Sequence, residues 1–306
     1  MKLLTLNAHA WLESEQVDKI ARLAEFIVDR DVDVVALQEV NQLRRAPKTT
    51  AAEGFVGGTR REVRADNYAL VLRRFLKELS QSCWQWAWVD AHIGFDKYDE
   101  GVAVLSRRPI AEVVALPHST VYDYDNVRRR MSVAARVDAG VAGREVWVVS
   151  GHFSWWRDPA FGPATEQGFP LGQPHQDADE FIFRAEWNHL LPQLERLRAQ
   201  APVVLAGDFN NAASVRGEGY DLVTAGGMWR DSFLIADETL GEATVHKRIA
   251  GWQDNVEALR IDYVFVSAGL GVHSHEVVFA DDSSCAVSDH SGILVQIHVG
   301  EERCGV

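Results

Sequence analysis

Polar residues that could bind a metal ion or move a proton stand at the ends of short apolar segments throughout this sequence. The residues in such positions are Asn7, Glu39, His152, Asp208, Asn210, Asp262, Asp289 and His290. Loops at the strand ends of a layered α/β fold usually carry functional residues. The carboxylate and amide oxygens of this set suit a hard cation such as Mg²⁺ or Mn²⁺ better than zinc or copper. Such a cation polarises a phosphoryl oxygen and helps to generate a nucleophilic water.

Each of these motifs is common when it occurs alone. A pair such as Gln38-Glu39 at the end of a strand is usually exposed to solvent. The run Gly207-Asp208-Phe209-Asn210 is typical of an ordinary turn, because Asp and Asn favour turns. Their occurrence together, each beside an apolar segment, indicates one site rather than unrelated loops.

The elements that must position these residues follow from the apolar periodicity, which predicts a strand-rich fold with interspersed helices. Helical spacing occurs at residues 16–28, 67–79 and 184–198. Strand-like apolar runs occur at residues 2–6, 33–37, 84–91, 102–106, 131–137, 145–150, 203–206, 260–266, 272–279 and 293–299. No internal repeat or linker divides the chain, which predicts a single domain over residues 1–306.

Two polar segments, residues 42–66 and 154–176, interrupt this pattern. The first is basic and contains glycine, and the second is rich in proline and glycine. Loops of this length are uncommon unless they are functional or disordered. Both follow strands that end in candidate site residues, so a substrate-selecting lid and a simple surface insertion both remain open.

Composition and charge favour an enzyme with a small substrate. Of 306 residues, 31 are Lys or Arg and 44 are Asp or Glu, which gives a formal net charge of −13. Proteins that neutralise many nucleic-acid phosphates normally carry a basic face, so we do not expect a nucleic-acid substrate. No apolar run reaches the ~20 residues that span a bilayer. The three cysteines are too few for a disulfide framework, and we expect a cytoplasmic protein with no membrane or protein partner.

The runs LNAHAW, ALQEV, DEGVAVLSRRPI, GHFSWW, AGDFNN, RIDYVF and SDH occur in this order between residues 2 and 295. Together they resemble the endonuclease/exonuclease/phosphatase superfamily, which includes deoxyribonucleases, abasic-site endonucleases, inositol-polyphosphate phosphatases and bacterial sphingomyelinases. The resemblance implies an α/β fold of the DNase-I-like kind. That fold is a four-layer α/β/β/α sandwich with two mainly antiparallel central sheets and the site at one edge of both sheets.

The resemblance also implies a metal and water site that uses Mg²⁺ or Mn²⁺. By the family pattern, Glu39 is the principal metal ligand and Asn7 beside it binds metal or orients phosphate. Asp289 is a second carboxylate on the metal side. Asp208 orients and deprotonates the attacking water, and Asn210 holds the phosphate or a metal.

Two histidine–carboxylate pairs are implied in the same way. His290 contacts the phosphoryl oxygen and is oriented by Asp262, and His152 is a second phosphate-facing histidine paired with Glu100. A carboxylate that fixes the imidazole tautomer also favours the charged imidazolium, so both pairs could stabilise negative charge. His9 stands where abasic-site endonucleases carry an acidic residue. A second metal position therefore stays open, and we group His9 with the substrate-binding candidates.

Further runs, including GFDKYDEGVAVLS and GDFNNAASVRGEGYD, resemble the bacterial maltose-6'-phosphate phosphatases. This resemblance implies a phosphomonoesterase that acts on a small phosphorylated sugar. Trp155, Trp156 and Trp252 are candidates for stacking on a sugar ring, although the first two could instead pack the edge of the sandwich. Arg130 is a candidate for a bidentate contact with the substrate phosphate. Lys97, Tyr98 and the loop of residues 123–126 are further candidates for the pocket rim.

Three alternatives to a sugar-phosphate phosphatase remain at this point. A nuclease is favoured by the basic segment of residues 42–66 and opposed by the net charge. A sphingomyelinase-like lipid phosphodiesterase would need an exposed apolar hairpin, which the sequence does not indicate. A catalytically inactive binding protein on the same fold is opposed by the presence of a suitable residue at every expected catalytic position.

Overall fold

The secondary structure comes from a computed structural model, which describes residues 1–49, 52–141, 143–158, 180–246, 249, 252, 256–280 and 285–300. The strands are β1 (Lys2–Asn7), β2 (Val34–Gln38), β3 (Gln42–Leu43), β4 (Phe55–Gly58), β5 (Gln85–Gly94), β6 (Tyr98–Ser106), β7 (Ile110–Pro117), β8 (Met131–Asp138), β9 (Glu145–His152), β10 (Val203–Asp208), β11 (Arg230–Asp231), β12 (Glu238–Leu240), β13 (Asp262–Val266), β14 (Leu270–Val278) and β15 (Gly292–Val299). The helices are α1 (Gln16–Asp29), α2 (Tyr68–Ser80), α3 (Ile182–Arg198), α4 (Gly219–Thr224) and α5 (Ser232–Ile235), with a 3-10 turn at Ala225–Gly227. Within these described ranges, no helix combines the length and apolar character needed to cross a membrane.

The strands form two sheets. The first has nine strands in the order β12-β14-β15-β1-β2-β6-β5-β4, with β3 also paired to β6. The second has six strands in the order β11-β13-β10-β9-β8-β7. Neighbouring strands are antiparallel except in the pairs β1–β2, β4–β5, β9–β10 and β12–β14. The expectation of two mainly antiparallel sheets is therefore confirmed.

The two sheets pack face to face because their strands alternate between two apolar faces. On β9, Val146 and Val148 belong to a core cluster that contains residues of both sheets. Trp147 and Val149 point the other way and join a cluster with the apolar face of α3. A period of two residues is what a strand buried on both faces requires.

Helices cover the outer face of each sheet. Apolar residues of α1 and α2, such as Ile20, Leu23 and Leu72, pack on the outer face of the first sheet. Leu190 and Leu194 of α3, together with Val223 of α4, cover the second sheet. The resulting order of layers is α/β/β/α, as the resemblance implied.

The sequence missed the edge strands. β7 contains the apolar run of residues 113–116, but it is an edge strand whose residues are mostly half-buried or exposed. β3 and β4 lie inside the polar segment of residues 42–66 and pair with β6 and β5. The described part of that segment is therefore part of the first sheet and not a separate insertion. Most of the segment of residues 154–176 lies outside the described residues, so its predicted role stays untested.

A close approach between two strands fixes the register at the site. Gly207 on β10 is the partner of Gly151 on β9, and its φ is +146°. A Cβ on Gly207 would lie 1.9 Å from the carbonyl oxygen of Gly151. Only glycine lets the two backbones come this close at the residue that precedes Asp208.

We expect Gly207→Ala to lower the free energy of unfolding by on the order of 4 kcal/mol, because backbone must move to relieve the clash. The matched control is Gly217→Ala, at φ +81° with no atom within 4 Å of the added Cβ. That variant carries the backbone strain alone, about 1–2 kcal/mol. Urea denaturation followed by tryptophan fluorescence measures both, and equal losses would contradict a steric role for Gly207.

Candidate active site

The register of the second sheet places three of the predicted residues in one row. His152 at the end of β9 is paired with Asp208 at the end of β10. Asp208 is in turn paired with Asp262 at the start of β13. The first sheet ends beside them, and the Nδ2 of Asn7 donates to Asp208 Oδ2 at 3.1 Å and to Glu39 Oε1 at 2.9 Å. One side chain thus joins the ends of the two sheets at the site.

Asp208 lies at the centre of the cluster and is only 1% exposed. Its Oδ1 accepts a hydrogen bond from the backbone N–H of Asn210 at 2.9 Å. Phe209 between them is buried and stacks on Phe153 at 4.4 Å, which holds the turn against the core. Burial, with the charge of Asp262 in addition, raises the pKa of Asp208. A carboxylate with a raised pKa is a better acceptor for a proton from water near neutral pH.

His290 and Asp262 form the expected pair. His290 Nδ1 lies 2.9 Å from Asp262 Oδ2, and His290 Nε2 lies 3.9 Å from Asp208 Oδ2. Burial alone would lower the pKa of His290, but the charge and hydrogen bond of Asp262, followed by the charge of Asp208, raise it well above its usual value. The imidazole is therefore held as a cation that faces the cavity.

The expected pairing of His152 with Glu100 is only partly realised. Glu100 is the direct cross-strand partner of His92, and its Oε1 lies 3.4 Å from His92 Nε2 but 4.0 Å from His152 Nδ1. Burial, with the charge of Glu39 in addition, raises the pKa of Glu100 and favours its neutral form. Burial and then the nearby Arg130 hold the pKa of His152 well below its usual value. The expectation that Glu100 favours a charged His152 is therefore wrong, because the guanidinium already supplies the positive charge there.

Arg130 is a buried cation without a carboxylate partner. Its side chain is 5% exposed, and its Nη1 lies 3.3 and 3.4 Å from the two ring nitrogens of His152. Its Nε has no hydrogen-bond partner, and no carboxylate of a described residue lies within 4.0 Å of the guanidinium. By contrast, Arg128 makes a buried ion pair with Asp158. A buried guanidinium is costly unless it is paired, which indicates that Arg130 is placed to bind an anion.

The residues expected on the metal side lie at the same end of the cavity. Glu39, Asp289 and His9 line it, and their carboxylate donors fit a hard divalent cation. Asn7 presents its amide nitrogen to Glu39, while its Oδ1 accepts from the backbone N–H of His9 at 3.1 Å. The structure thus shows Asn7 orienting the two carboxylates, and its predicted contact with a metal stays a prediction.

His9 has a partner that sequence reasoning missed. Its Nδ1 lies 2.6 Å from Glu13 Oε1 and 3.7 Å from Asp289 Oδ1, and the three side chains are close enough to share one ion. Burial lowers the pKa of His9, but the hydrogen bond that it donates to Glu13 and the charges of Glu39 and Asp289 together raise it. The spacing of four residues between His9 and Glu13 was the available signal.

The three tryptophan candidates lie in different environments in the structure. Trp155 lines the cavity. Trp156 packs against Phe181 at 5.3 Å and against the core below α3, so it is a packing residue and not a rim residue. Trp252 donates from Nε1 to Asn210 Oδ1 at 3.3 Å, which holds the Asn210 side chain.

Only some of the other rim candidates line the cavity. Asp123, Asp125 and Asn126 of the loop of residues 123–126 line the cavity. Tyr98 instead is buried and donates to the backbone oxygen of Trp11 at 3.1 Å, with Lys97 above its ring. His92, Phe95 and Asp96 also line the cavity. Phe95 and Asp96 belong to the run GFDKYDEGVAVLS, whereas no motif in the sequence marked His92. Their position at the end of the β5–β6 hairpin brings them there.

Some of the basic residues in the segment of residues 42–66 form ion pairs with carboxylates of the protein itself. Arg61 binds Asp90 at 3.3 Å and lies over the ring of Tyr124. Lys48 forms an ion pair with Glu62. These contacts leave fewer cations in the segment for a polyanionic ligand.

Comparison with solved structures shows the same fold over nearly the whole chain. An endonuclease/exonuclease/phosphatase family protein from Leptotrichia buccalis is 29% identical with a TM-score of 0.77, and the match covers 97% of this chain and 99% of that one. A mannosyl-6-phosphatase from Bacteroides thetaiotaomicron is 16% identical with a TM-score of 0.65, covering 97% and 99%. A truncated Caenorhabditis elegans TDP2 is 14% identical with a TM-score of 0.60, covering 98% and 97%. No curated protein sequence matches the chain with significance.

The sequence also matches a family model. The model of the Endonuclease/Exonuclease/phosphatase family matches residues 13–290. The matched range includes Glu39, Asp208, Asp262 and His290, which the fold brings to one edge of its two sheets. The chain therefore belongs to the endonuclease/exonuclease/phosphatase family of phosphoester hydrolases.

Proposed function

We propose that this protein is a phosphomonoesterase that uses Mg²⁺ or Mn²⁺ to release inorganic phosphate from a phosphorylated sugar. The observation that carries the proposal is the distribution of charge in the cavity. Among the described residues that line it, seven carry a carboxyl group and Arg130 alone is an arginine or lysine. One phosphate group finds a guanidinium and the His290 cation there, whereas a chain of phosphates would also meet carboxylates.

The protein groups support in-line attack by water. Asp208 is the acceptor for the proton of the attacking water, since it is buried and its pKa is raised. The water oxygen forms a bond to phosphorus as the bond to the sugar oxygen breaks, and the electron pair of that bond goes to the sugar oxygen. His290 stabilises the negative charge that develops on the phosphoryl oxygens, because Asp262 keeps its imidazole charged and fixed.

The metal site would be formed by Glu39 and Asp289, with Asn7 orienting the Glu39 carboxylate. A divalent cation bound there supplies polarisation of a phosphoryl oxygen and lowers the pKa of a bound water. Asn7 also donates to Asp208, so the cation side and the water side of the site are held in one arrangement.

Arg130 supports a monoester over a diester. A guanidinium buried beside a neutral His152 has free N–H groups for two oxygens of a terminal phosphate. A terminal phosphate offers more unsubstituted oxygens to such a contact than a phosphodiester does.

The same fold is known to act on a phosphorylated sugar, since one solved structure that shares it is a mannosyl-6-phosphatase. A nuclease is the competing function, and TDP2 shares the fold as well. The cavity carboxylates and the internal pairing of Arg61 and Lys48 favour the small substrate.

Phosphate release from a panel of hexose and disaccharide phosphates tests the substrate class. We expect turnover with Mg²⁺ or Mn²⁺, loss of turnover with EDTA, and recovery when the cation is added back. Asp208→Asn should abolish the activity, while Asp221→Asn, at a half-buried position of α4 outside the cavity, should not. If no sugar phosphate is hydrolysed and plasmid DNA is nicked at moderate salt, the proposal is wrong.

We expect His290→Ala to lower kcat on an aryl phosphate by about 10²–10³-fold, because charge stabilisation in the transition state is lost. Thermal unfolding should show a folded protein. The control is His273→Ala, a half-exposed histidine of β14 beside Asp237 that does not line the cavity, which should keep its activity. Near-normal turnover in His290→Ala would contradict the role of the imidazolium.

Arg130→Met separates phosphate binding from stability. We expect the Ki of inorganic phosphate to rise about 10- to 100-fold, as a charge-assisted hydrogen bond is worth about 1.5–3 kcal/mol. The melting temperature should stay the same or rise, because the variant removes a buried cation that lacks a carboxylate partner. Arg216→Met, at an exposed site, is the control. A lower melting temperature with unchanged Ki would assign Arg130 a structural role.

A further inference from the structure

The cavity that contains Asp208 and His290 continues to the tip of the β5–β6 hairpin and to the loop before β8. Its volume is about 450 Å³, within the roughly 300–1,000 Å³ of small-ligand pockets. We call five residues of this outer part the outer rim: Phe95, Asp96, Asp123, Asp125 and Asn126. The phosphoryl-transfer chemistry leaves the outer rim without a role, so it faces the part of the substrate that remains after phosphate has left.

The three carboxylates of the outer rim are free to accept hydrogen bonds. Asp96, Asp123 and Asp125 are exposed. Among the residues that the structure describes, they make no ion pair and no side-chain hydrogen bond. Each carboxylate offers about four acceptor positions on its two oxygens. Such a group suits a ligand with many hydroxyl donors and repels a second phosphate.

The loop that carries Asp123 and Asp125 is fixed by the contacts of Tyr124, which lies between them. The backbone oxygen of Tyr124 accepts from Ile93 N at 2.8 Å, and its hydroxyl donates to Asp99 Oδ1 at 3.2 Å. The guanidinium of Arg61 lies 3.3 Å from the centroid of the Tyr124 ring and binds Asp90 at the same time. The outer rim is therefore preorganised, which lowers the entropy cost of binding.

Phe95 adds an apolar surface where a soluble protein would not need one. It is 55% exposed and lies in the connection of residues 95–97 between β5 and β6, where the two central residues of the turn have positive φ, 49° at Phe95 and 57° at Asp96. The turn is closed by the hydrogen bond from Lys97 N to Gly94 O at 3.2 Å. Such turns favour Asn-Gly, and a bulky side chain in this conformation is rare. An aromatic ring at this point is explained by contact with the C–H face of a ligand.

The inner end of the same cavity holds a buried cation, which favours a ligand with an anionic group. Arg130 is 5% exposed, lines the cavity and leaves its Nε without a partner. The anion would lie there, while the three free carboxylates and the Phe95 ring lie at the outer rim. We propose that the outer rim is the subsite for the leaving group, an uncharged pyranose ring or pair of rings. The carboxylates bind its hydroxyl groups and Phe95 binds its C–H face. The inference rests on the proposed function and adds the residues that determine its specificity.

The test compares two substrates in two variants. One variant combines Asp123→Ala with Asp125→Ala, and the other is Phe95→Ala. For each, kcat/KM is measured with the best sugar phosphate of the panel and with an aryl phosphate, which lacks hydroxyl groups on the leaving group. The ratio of kcat/KM for the sugar phosphate to kcat/KM for the aryl phosphate should fall at least about tenfold, mainly through KM for the sugar phosphate. In the double variant, each lost charged hydrogen bond weakens binding by about that factor.

Matched controls are Asp29→Ala, at the exposed end of α1, and Leu240→Ala, at an exposed apolar position. Both should keep the wild-type ratio. A ratio within twofold of wild type in both rim variants would overturn the subsite and leave the proposed function intact. If the wild-type protein hydrolyses the aryl phosphate but no sugar phosphate, the proposed function is wrong and the assignment of the leaving group falls with it. Equal wild-type rates on glycerol phosphate and hexose phosphates would overturn the contact between Phe95 and a ring.

Discussion

The amide group of Asn7 is the interaction on which the site depends. It stands at the end of β1 and donates to Glu39 of the first sheet and Asp208 of the second. Two carboxylates that face each other across a sheet interface repel, and a neutral donor between the half-buried Glu39 and the buried Asp208 keeps both oriented. The sandwich brings the strand ends together, but this side chain sets their relative position.

The electrostatics of the two histidines differ because their nearest partners differ. His290 has Asp262 within hydrogen-bond distance and is kept charged. His152 lies against Arg130 and is kept neutral. A guanidinium, an imidazolium and a neutral imidazole therefore line the same cavity. The arrangement supplies positive charge without placing two cationic histidines side by side, which a buried site would resist.

Parts of the site were predictable from sequence, and the reason lies in how local their signals are. Asp208 and Asn210 follow an apolar strand directly, so the end of β10 could be located. The pairing of Glu100 was harder, because His92 lies opposite it only through the register of β5 and β6. The strand β7 was missed although its residues 113–116 form an apolar run.

The motif runs by themselves determined the family, and through that resemblance the layered fold and the type of bond that is broken, because each run is a local property of the chain. The tertiary structure alone decided which charges are paired. Arg128 and Arg130 are two residues apart and look alike in sequence, yet one meets Asp158 and the other meets no carboxylate of the described chain. Trp155 and Trp156 differ in the same way, because Trp155 lines the cavity and Trp156 packs against the core. Burial and charge depend on residues that are distant along the chain, and no local pattern encodes those distances.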